Sequence, residues 1–180
     1  VQRRLLAVDH RERLGHGEVV VHRGGERRGQ LEGAEVRIRR GLRVLAEMRR
    51  VARPGGLIAV RDSDYEGFRW WPETPAFDRW LALYLRAARA NGGTPDAGRR
   101  LLAWAHEAGL EDVVPGSSTW LHATPESRAA WAASWSGRIT SAPFADQLER
   151  EGWADAAERE EIAAAFRTWS EDPDGWFSLL

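Results

Sequence analysis

The chain contains no cysteine, and every one of its 26 basic residues is arginine. Without cysteine there can be no disulfide, no thiolate nucleophile and no Cys-based zinc or iron–sulfur site. The five histidines are scattered, and no two have metal-ligand spacing backed by a carboxylate, so no metal site is expected. No apolar run approaches the roughly 20 residues that cross a bilayer. The basic start Val1-Gln2-Arg3-Arg4 leads into no apolar signal core. These features predict a cytoplasmic protein with no membrane partner. An excess of charge is lacking too: 27 acidic residues leave a formal net charge of −1. No global field draws the chain to nucleic acid. The arginines of residues 1–43 are interleaved with Glu and Gly, which argues against a nucleic-acid arm.

What is present is an ordinary globular composition, 43% hydrophobic over 180 residues. That predicts one domain able to bury its own core. Lysine-free and rich in Ala, Gly and Arg, the chain has the composition of a GC-rich genome, which carries no functional message. Ten tryptophans are many for this length, and most must be buried or line a cavity, because a surface showing them all would aggregate.

The chain changes character near residue 43. Before it, Gly and Arg crowd together, as in Arg23-Gly24-Gly25-Glu26-Arg27-Arg28-Gly29, and no apolar period outlasts Val19-Val20-Val21. Residues 1–43 therefore read as an atypical Arg/Gly-rich segment, disordered or mis-framed, and 44–180 as the folded part. From Val44 a helix is plain: Val44, Leu45, Met48, Val51 and Ala52 form one apolar stripe. Pro54 stops it and Gly55-Gly56 turns the chain. Leu57-Ile58-Ala59-Val60 then reads as a strand apolar on both faces, which belongs in the middle of a mostly parallel sheet. The polar loop Arg61-Asp62-Ser63-Asp64-Tyr65 follows, where ligands bind in open α/β sheets.

Further on, Thr74-Pro75 opens a helix with Phe77, Trp80, Leu81, Tyr84, Leu85 and Ala88 inward, ended by Asn91-Gly92-Gly93. Pro95-Asp96 starts another, with Leu101, Trp104, Ala105 and Ala108 inward and Gly109 as its stop. Val113-Val114 and Thr119-Trp120-Leu121-His122 read as one strand bent at Pro115-Gly116, or as two. Thr124-Pro125 opens a helix with Trp131, Trp135 and Ile139 on one stripe. Phe144 and Leu148 mark a short helix ended by Gly152. Asp155 with Glu158 has the capping-box pattern before Ile162, Ala165, Phe166 and Trp169. Pro173-Asp174-Gly175 leads into a last strand from Trp176.

The run from Val44 to Val60 resembles the helix, turn and fifth strand of class I S-adenosylmethionine-dependent methyltransferases. Three further stretches resemble a bacterial, actinomycete-like subgroup acting on small molecules. They are Arg61 to Tyr65, Asn91-Gly92-Gly93 through Asp96-Ala97-Gly98-Arg99-Arg100-Leu101-Leu102, and Asp174-Gly175-Trp176-Phe177. The resemblance covers about three quarters of the chain. It implies the C-terminal half of a doubly wound, Rossmann-like α/β sheet with a helical C-terminal cap, S-adenosylmethionine as cofactor and a small-molecule acceptor. The family's cofactor loop, a Gly-x-Gly after strand one, has no good counterpart. Gly15-His16-Gly17 precedes an apolar run instead of following one, and too few residues separate it from Val44 for three strands. A strand-four segment before Val44 is also missing, since Gly33 to Arg40 does not resemble one. The resemblance thus implies a fragment, incomplete and inactive by itself.

In such a fold the loop after strand five faces the acceptor. The resemblance makes Asp62 and Asp64 candidate bases or acceptor-binding groups, with Arg61 and Tyr65 beside them. The blander reading is a solvated loop or an Asx turn. Trp70 and Trp71, ahead of Pro72, could cover a planar or cationic acceptor, although packing onto the next helix is the commoner use of such residues. Trp131, Trp135 and Trp169 read as the core of a cap, His122 as a hydrogen-bonded core histidine, and His106 as helix surface. Two other functions fit the same elements: a non-catalytic binding or interaction module, and a nicotinamide-dependent reductase whose Gly-x-Gly-x-x-Gly loop would lie upstream.

Overall fold

A computed structural model describes residues 4–6 and 34–180. Gly15-His16-Gly17 and the question of a mis-framed start lie outside the described residues. In chain order the elements are β1 (Arg4–Leu6), α1 (Ala34–Val51), β2 (Leu57–Ile58), β3 (Arg69–Trp71), α2 (Pro75–Ala90), α3 (Leu101–Glu107), β4 (Val113–Val114), β5 (Trp120–His122), α4 (Pro125–Ser141), α5 (Pro143–Arg150), α6 (Ala156–Glu171) and β6 (Trp176–Leu179). Single 3-10 turns stand at Tyr65–Gly67 and Gly98–Arg100. The chain is α/β and forms two compact units, one from residues 1–64 and 92–118, the other from 65–91 and 119–180.

The first unit holds a parallel sheet in the order β2-β1-β4, with Leu5 opposite both Ile58 and Val113. Its core is Leu45, Met48, Ile58, Trp104, Ala105 and their neighbours. Helix α1 starts at Ala34, ten residues before the point at which the apolar period becomes legible. One reason a helix tolerates Gly41 is space: a Cβ there would stand 2.3 Å from the Trp104 ring. The expected stripe is half right. Leu45 and Met48 are buried, whereas Val44 and Val51 are each 41% exposed. At the far end Arg49 donates to the Ala108 carbonyl at 3.1 Å, covering an open C-terminal carbonyl of α3.

The strand expected over Leu57–Val60 in mid-sheet needs correction. Only Leu57 and Ile58 pair, their one neighbour among the described residues is β1, and Leu57 is 53% exposed. An apolar run reports affinity for a core, but pairing needs a partner backbone, and Ala59-Val60 has none among the described residues. The helix expected from Pro95 begins properly at Leu101, after the 3-10 turn.

The second unit packs α2, α4, α5 and α6 on one face of an antiparallel sheet ordered β3-β6-β5. Phe177 and Leu179 of β6 point into the core, as the period-2 alternation of a strand requires. The segment 113–122 resolves as two strands that join different sheets. Trp70 and Trp71, expected in a loop, form β3: Trp70 lies opposite Phe177 and Trp71 opposite Trp176. On α2 the buried residues are Phe77, Trp80, Leu83 and Ala87. The face is thus rotated from the expected one, with Leu83 gained and Leu85 and Ala88 only partly covered.

The helix starts follow their caps. Thr124 accepts from the Ser127 N–H at 3.2 Å, and the Ser127 hydroxyl accepts from the Thr124 N–H at 3.1 Å, a reciprocal box at the start of α4. Thr124→Ala is expected to cost about 1 kcal/mol, read as a lower urea midpoint, with Thr124→Ser close to wild type. A loss no larger than that of the serine variant would show that the box contributes nothing. Asp155 accepts from the Glu158 N–H at 2.8 Å, and the Glu158 carboxylate accepts from Arg79 at 2.5 Å. Gly109 (φ +71°) and Gly152 (φ +63°) follow α3 and α5 in the left-handed conformation that terminates helices.

Candidate functional site

Three parallel strands share one carboxyl edge, and two loops leave it: 61–64 after β2 and 115–118 after β4. A hydrogen bond joins them, from the Arg61 guanidinium to the Ser118 hydroxyl at 2.9 Å. The edge therefore carries Arg61, Asp62 and Asp64 of the expected residues, with Ser118 added.

The two aspartates have different surroundings. Asp64 is held by Arg99, whose Nε and Nη2 donate to the two carboxylate oxygens at 2.6 and 2.8 Å. Its side chain is only 14% exposed. Both oxygens of this carboxylate are thus engaged by one planar, two-pronged guanidinium. Asp62 has no such partner among the described contacts; one of its oxygens accepts from the Ser63 N–H at 2.8 Å. The residue as a whole is exposed, yet protein around the carboxyl displaces water and raises its pKa above the usual aspartate value. The Ser63 bond opposes this and is the smaller effect. Of the pair, Asp62 is the one whose carboxyl is not engaged by a guanidinium among the described contacts.

Behind this loop lies the turn 94–100. Gly98 donates its N–H to the Ser63 carbonyl at 3.2 Å, and Asp96, buried, accepts from Arg100 at 2.9 and 2.5 Å. The sequence reading missed Gly98 and Arg99 as partners of the loop. The signal was there, because both loop and turn lie in stretches that resemble the same family.

The remaining expected residues belong to the second unit. Tyr65 stacks on Tyr84 with ring centroids 4.4 Å apart. Trp70, partly buried, packs against the core: it stacks on Phe177 at 5.4 Å and meets Phe77 edge-on at 5.8 Å. Trp71 is 50% exposed, and its carbonyl accepts from the Trp169 indole at 3.0 Å. Trp131, Trp135 and Trp169 are buried in the same core, and His106 is exposed.

His122 stacks on Trp131 with centroids 4.5 Å apart, and its Nε2 is buried with no partner. Burial lowers its pKa, with interaction at the Ser127 backbone acting the other way. A histidine whose folded pKa is depressed contributes stability in full above its unfolded value, and loses it as pH falls from there through the folded value. The unfolding midpoint of the wild type is therefore expected to fall faster than that of His122→Phe as pH drops below the ordinary histidine range. Parallel curves for the two proteins would exclude this role.

Among the described residues no group of three or more His, Asp or Glu side chains could hold a metal ion, and no helix is long and apolar enough to cross a membrane.

No family model matches the chain. It is similar to an uncharacterized methyltransferase of Schizosaccharomyces pombe, 28% identical over 137 residues, covering 75% of this chain and 48% of that protein. It is likewise similar to a probable methyltransferase of Aspergillus luteorubrus, 29% identical, covering 77% of this chain and 50% of the other. The chain spans about half the length of the curated relatives it matches. Both relatives are named methyltransferases.

Proposed function

We propose that this chain is the acceptor-side part of an S-adenosylmethionine-dependent methyltransferase that acts on a small molecule in the cytoplasm, with its parallel strands belonging to a doubly wound, Rossmann-like sheet. One observation carries the reading: the carboxyl edge of the parallel strands presents Asp62, a carboxylate with raised pKa, in a chain similar to two methyltransferases.

Methyl transfer is a displacement at a sulfonium-bound carbon, and the donor, when bound, supplies that carbon. The described residues do not fit the donor. A glycine cradle would leave space that a Cβ fills, but the tight approaches of Gly41 and Gly98 are made on Trp104 and on the backbone at Asp62. On this reading the groups that hold the donor lie outside the described residues. What this chain supplies is acceptor handling. Asp62 takes the proton of an acceptor O–H or N–H, and Arg61 flanks it from the Ser118 side. Asp64 orients the loop.

The test is calorimetric titration of S-adenosylmethionine and S-adenosylhomocysteine into the chain and into a form extended at both ends. Binding by the extended form alone is expected. Binding by the isolated chain would sink the fragment reading, and binding by neither would favour a non-catalytic module. In an extended form that methylates a panel of phenols, acids and amines, Asp62→Asn should lower turnover by about 100-fold or more while donor affinity stays constant.

A further inference from the structure

We infer that Gly98 and Arg99 are positioning residues of the candidate site, gripping the backbone of the Asp62–Asp64 loop so that the Asp62 carboxyl is presented at the carboxyl edge of the parallel strands. The inference rests on the reading of Asp62 as the acceptor's base, and it assigns a role to residues that touch no acceptor.

Three contacts make the grip. The Gly98 N–H donates to the Ser63 carbonyl at 3.2 Å. The Arg99 fork closes on both oxygens of Asp64. Between them the two backbones touch: a Cβ on Gly98 would stand 2.8 Å from the Asp62 carbonyl oxygen, 3.1 Å from the Ser63 carbonyl carbon and 3.2 Å from the Asp64 nitrogen. All three are main-chain atoms, which cannot swing aside as the end of a side chain can. Gly98 also lies outside the left-handed region, so what demands glycine here is space and not backbone conformation.

The turn that grips is itself anchored. Ala97 is 4% exposed in the core of the first unit, and Asp96 is buried with Arg100 as its partner. The Ala97 N–H donates to the Thr94 carbonyl at 3.0 Å, and the Arg100 N–H to the Ala97 carbonyl at 2.9 Å. On the other flank Arg61 is tied to Ser118. Asp62 thus sits in the middle of a loop fixed at both shoulders. Held there, its carboxyl keeps the company of protein that raises its pKa; on a loose loop it would regain water.

The experiment follows the titration of the Asp62 carboxyl by carbon-13 NMR in the full chain. Gly98→Ala pushes the two backbones apart without changing charge. Asp64→Asn combined with Arg99→Gln removes the fork as a neutral pair, so the Coulomb effects on Asp62 largely cancel. In both variants, with amide spectra otherwise native, the Asp62 midpoint is expected to fall toward that of an ordinary aspartate. Glu47→Gln combined with Arg50→Gln, which removes an exposed pair on α1, should leave it in place. Midpoints unchanged from wild type would overturn the inference. Should Gly98→Ala fail to fold, the double variant decides alone. Because the midpoint reads the loop whether or not a methyl group is transferred, an unchanged midpoint leaves the methyl-transfer reading standing. Loss of donor binding, conversely, leaves the grip standing.

Discussion

Phe177→Ala is expected to cost about 3–5 kcal/mol, a large share of the stability of an ordinary protein. The ring is fully buried and sits on the central strand of the antiparallel sheet. Trp70 stacks on it at 5.4 Å, Trp80 meets it edge-on at 5.7 Å, and Trp131 lies tilted at 5.3 Å. Phe68, Trp169 and Phe77 follow at 5.9, 6.0 and 6.1 Å. These neighbours are large, flat and anchored on separate elements, so they cannot collapse into the space a phenyl leaves. Cavities that stay open are the costly ones. Urea unfolding followed by circular dichroism measures the loss. Leu180→Ala, at a residue 46% exposed, should change stability by less than about 0.5 kcal/mol. A cost for Phe177→Ala below about 1 kcal/mol would mean that this core is loosely packed.

Arg128→Ala should be nearly as damaging, for a different reason. Arg128 is 5% exposed, and its guanidinium donates to the carbonyls of Ala123 at 2.6 Å, Ser170 at 3.2 Å and Gly175 at 3.4 Å. It ties together the chain before α4, the last turn of α6 and the turn into β6. Deleting it strands three carbonyls, each worth about 1–3 kcal/mol when buried and unsatisfied. With some relief by entering water, a loss of about 2–5 kcal/mol is expected. Arg128→Lys should recover little, because one ammonium on a flexible stem cannot reproduce the planar fork. Full stability in the lysine variant would show that charge alone matters. Gly175→Ala is a milder probe of the same knot, since a Cβ there would stand 3.0 Å from the Trp169 carbonyl oxygen and 3.3 Å from Arg128 Cδ.

Both residues lie where reading the sequence was most and least informative. Helices α2, α4 and α6 were legible because their starts are written locally. Thr74-Pro75, Thr124-Pro125 and Asp155 each precede a stripe at helical spacing. Strand β3 was not, because Arg69-Trp70-Trp71 carries no alternation long enough to see, and its partner Trp176–Ser178 lies at the other end of the chain. Leu57–Val60 failed in the opposite sense: four apolar residues looked like a central strand, and only two found one. At the candidate site the loop 61–64 was legible from its place after an apolar run. The difference between Asp62 and Asp64 was not, since it depends on Arg99, 35 residues beyond Asp64. Arg128 was invisible for a similar reason. Nothing in Ser127-Arg128-Ala129 says that its guanidinium is spent on main-chain carbonyls brought in by α6 and β6.

The antiparallel sheet has a consequence for how the protein is made. Its middle strand, β6, follows both its neighbours in sequence, and β3 and β5 pair with it and not with each other. During synthesis β3 emerges early, with Trp70 and Trp71, and has no sheet partner until Trp176 to Ser178 leave the ribosome. The interval covers α2 through α6, whose helices form from local contacts and can bundle around Trp80, Trp135 and Phe166 while they wait. Folding of this unit is therefore timed by the arrival of β6: a translational pause before Trp176 prolongs the exposure of an aromatic strand, and a chaperone that shields Trp70-Trp71 would act in that interval.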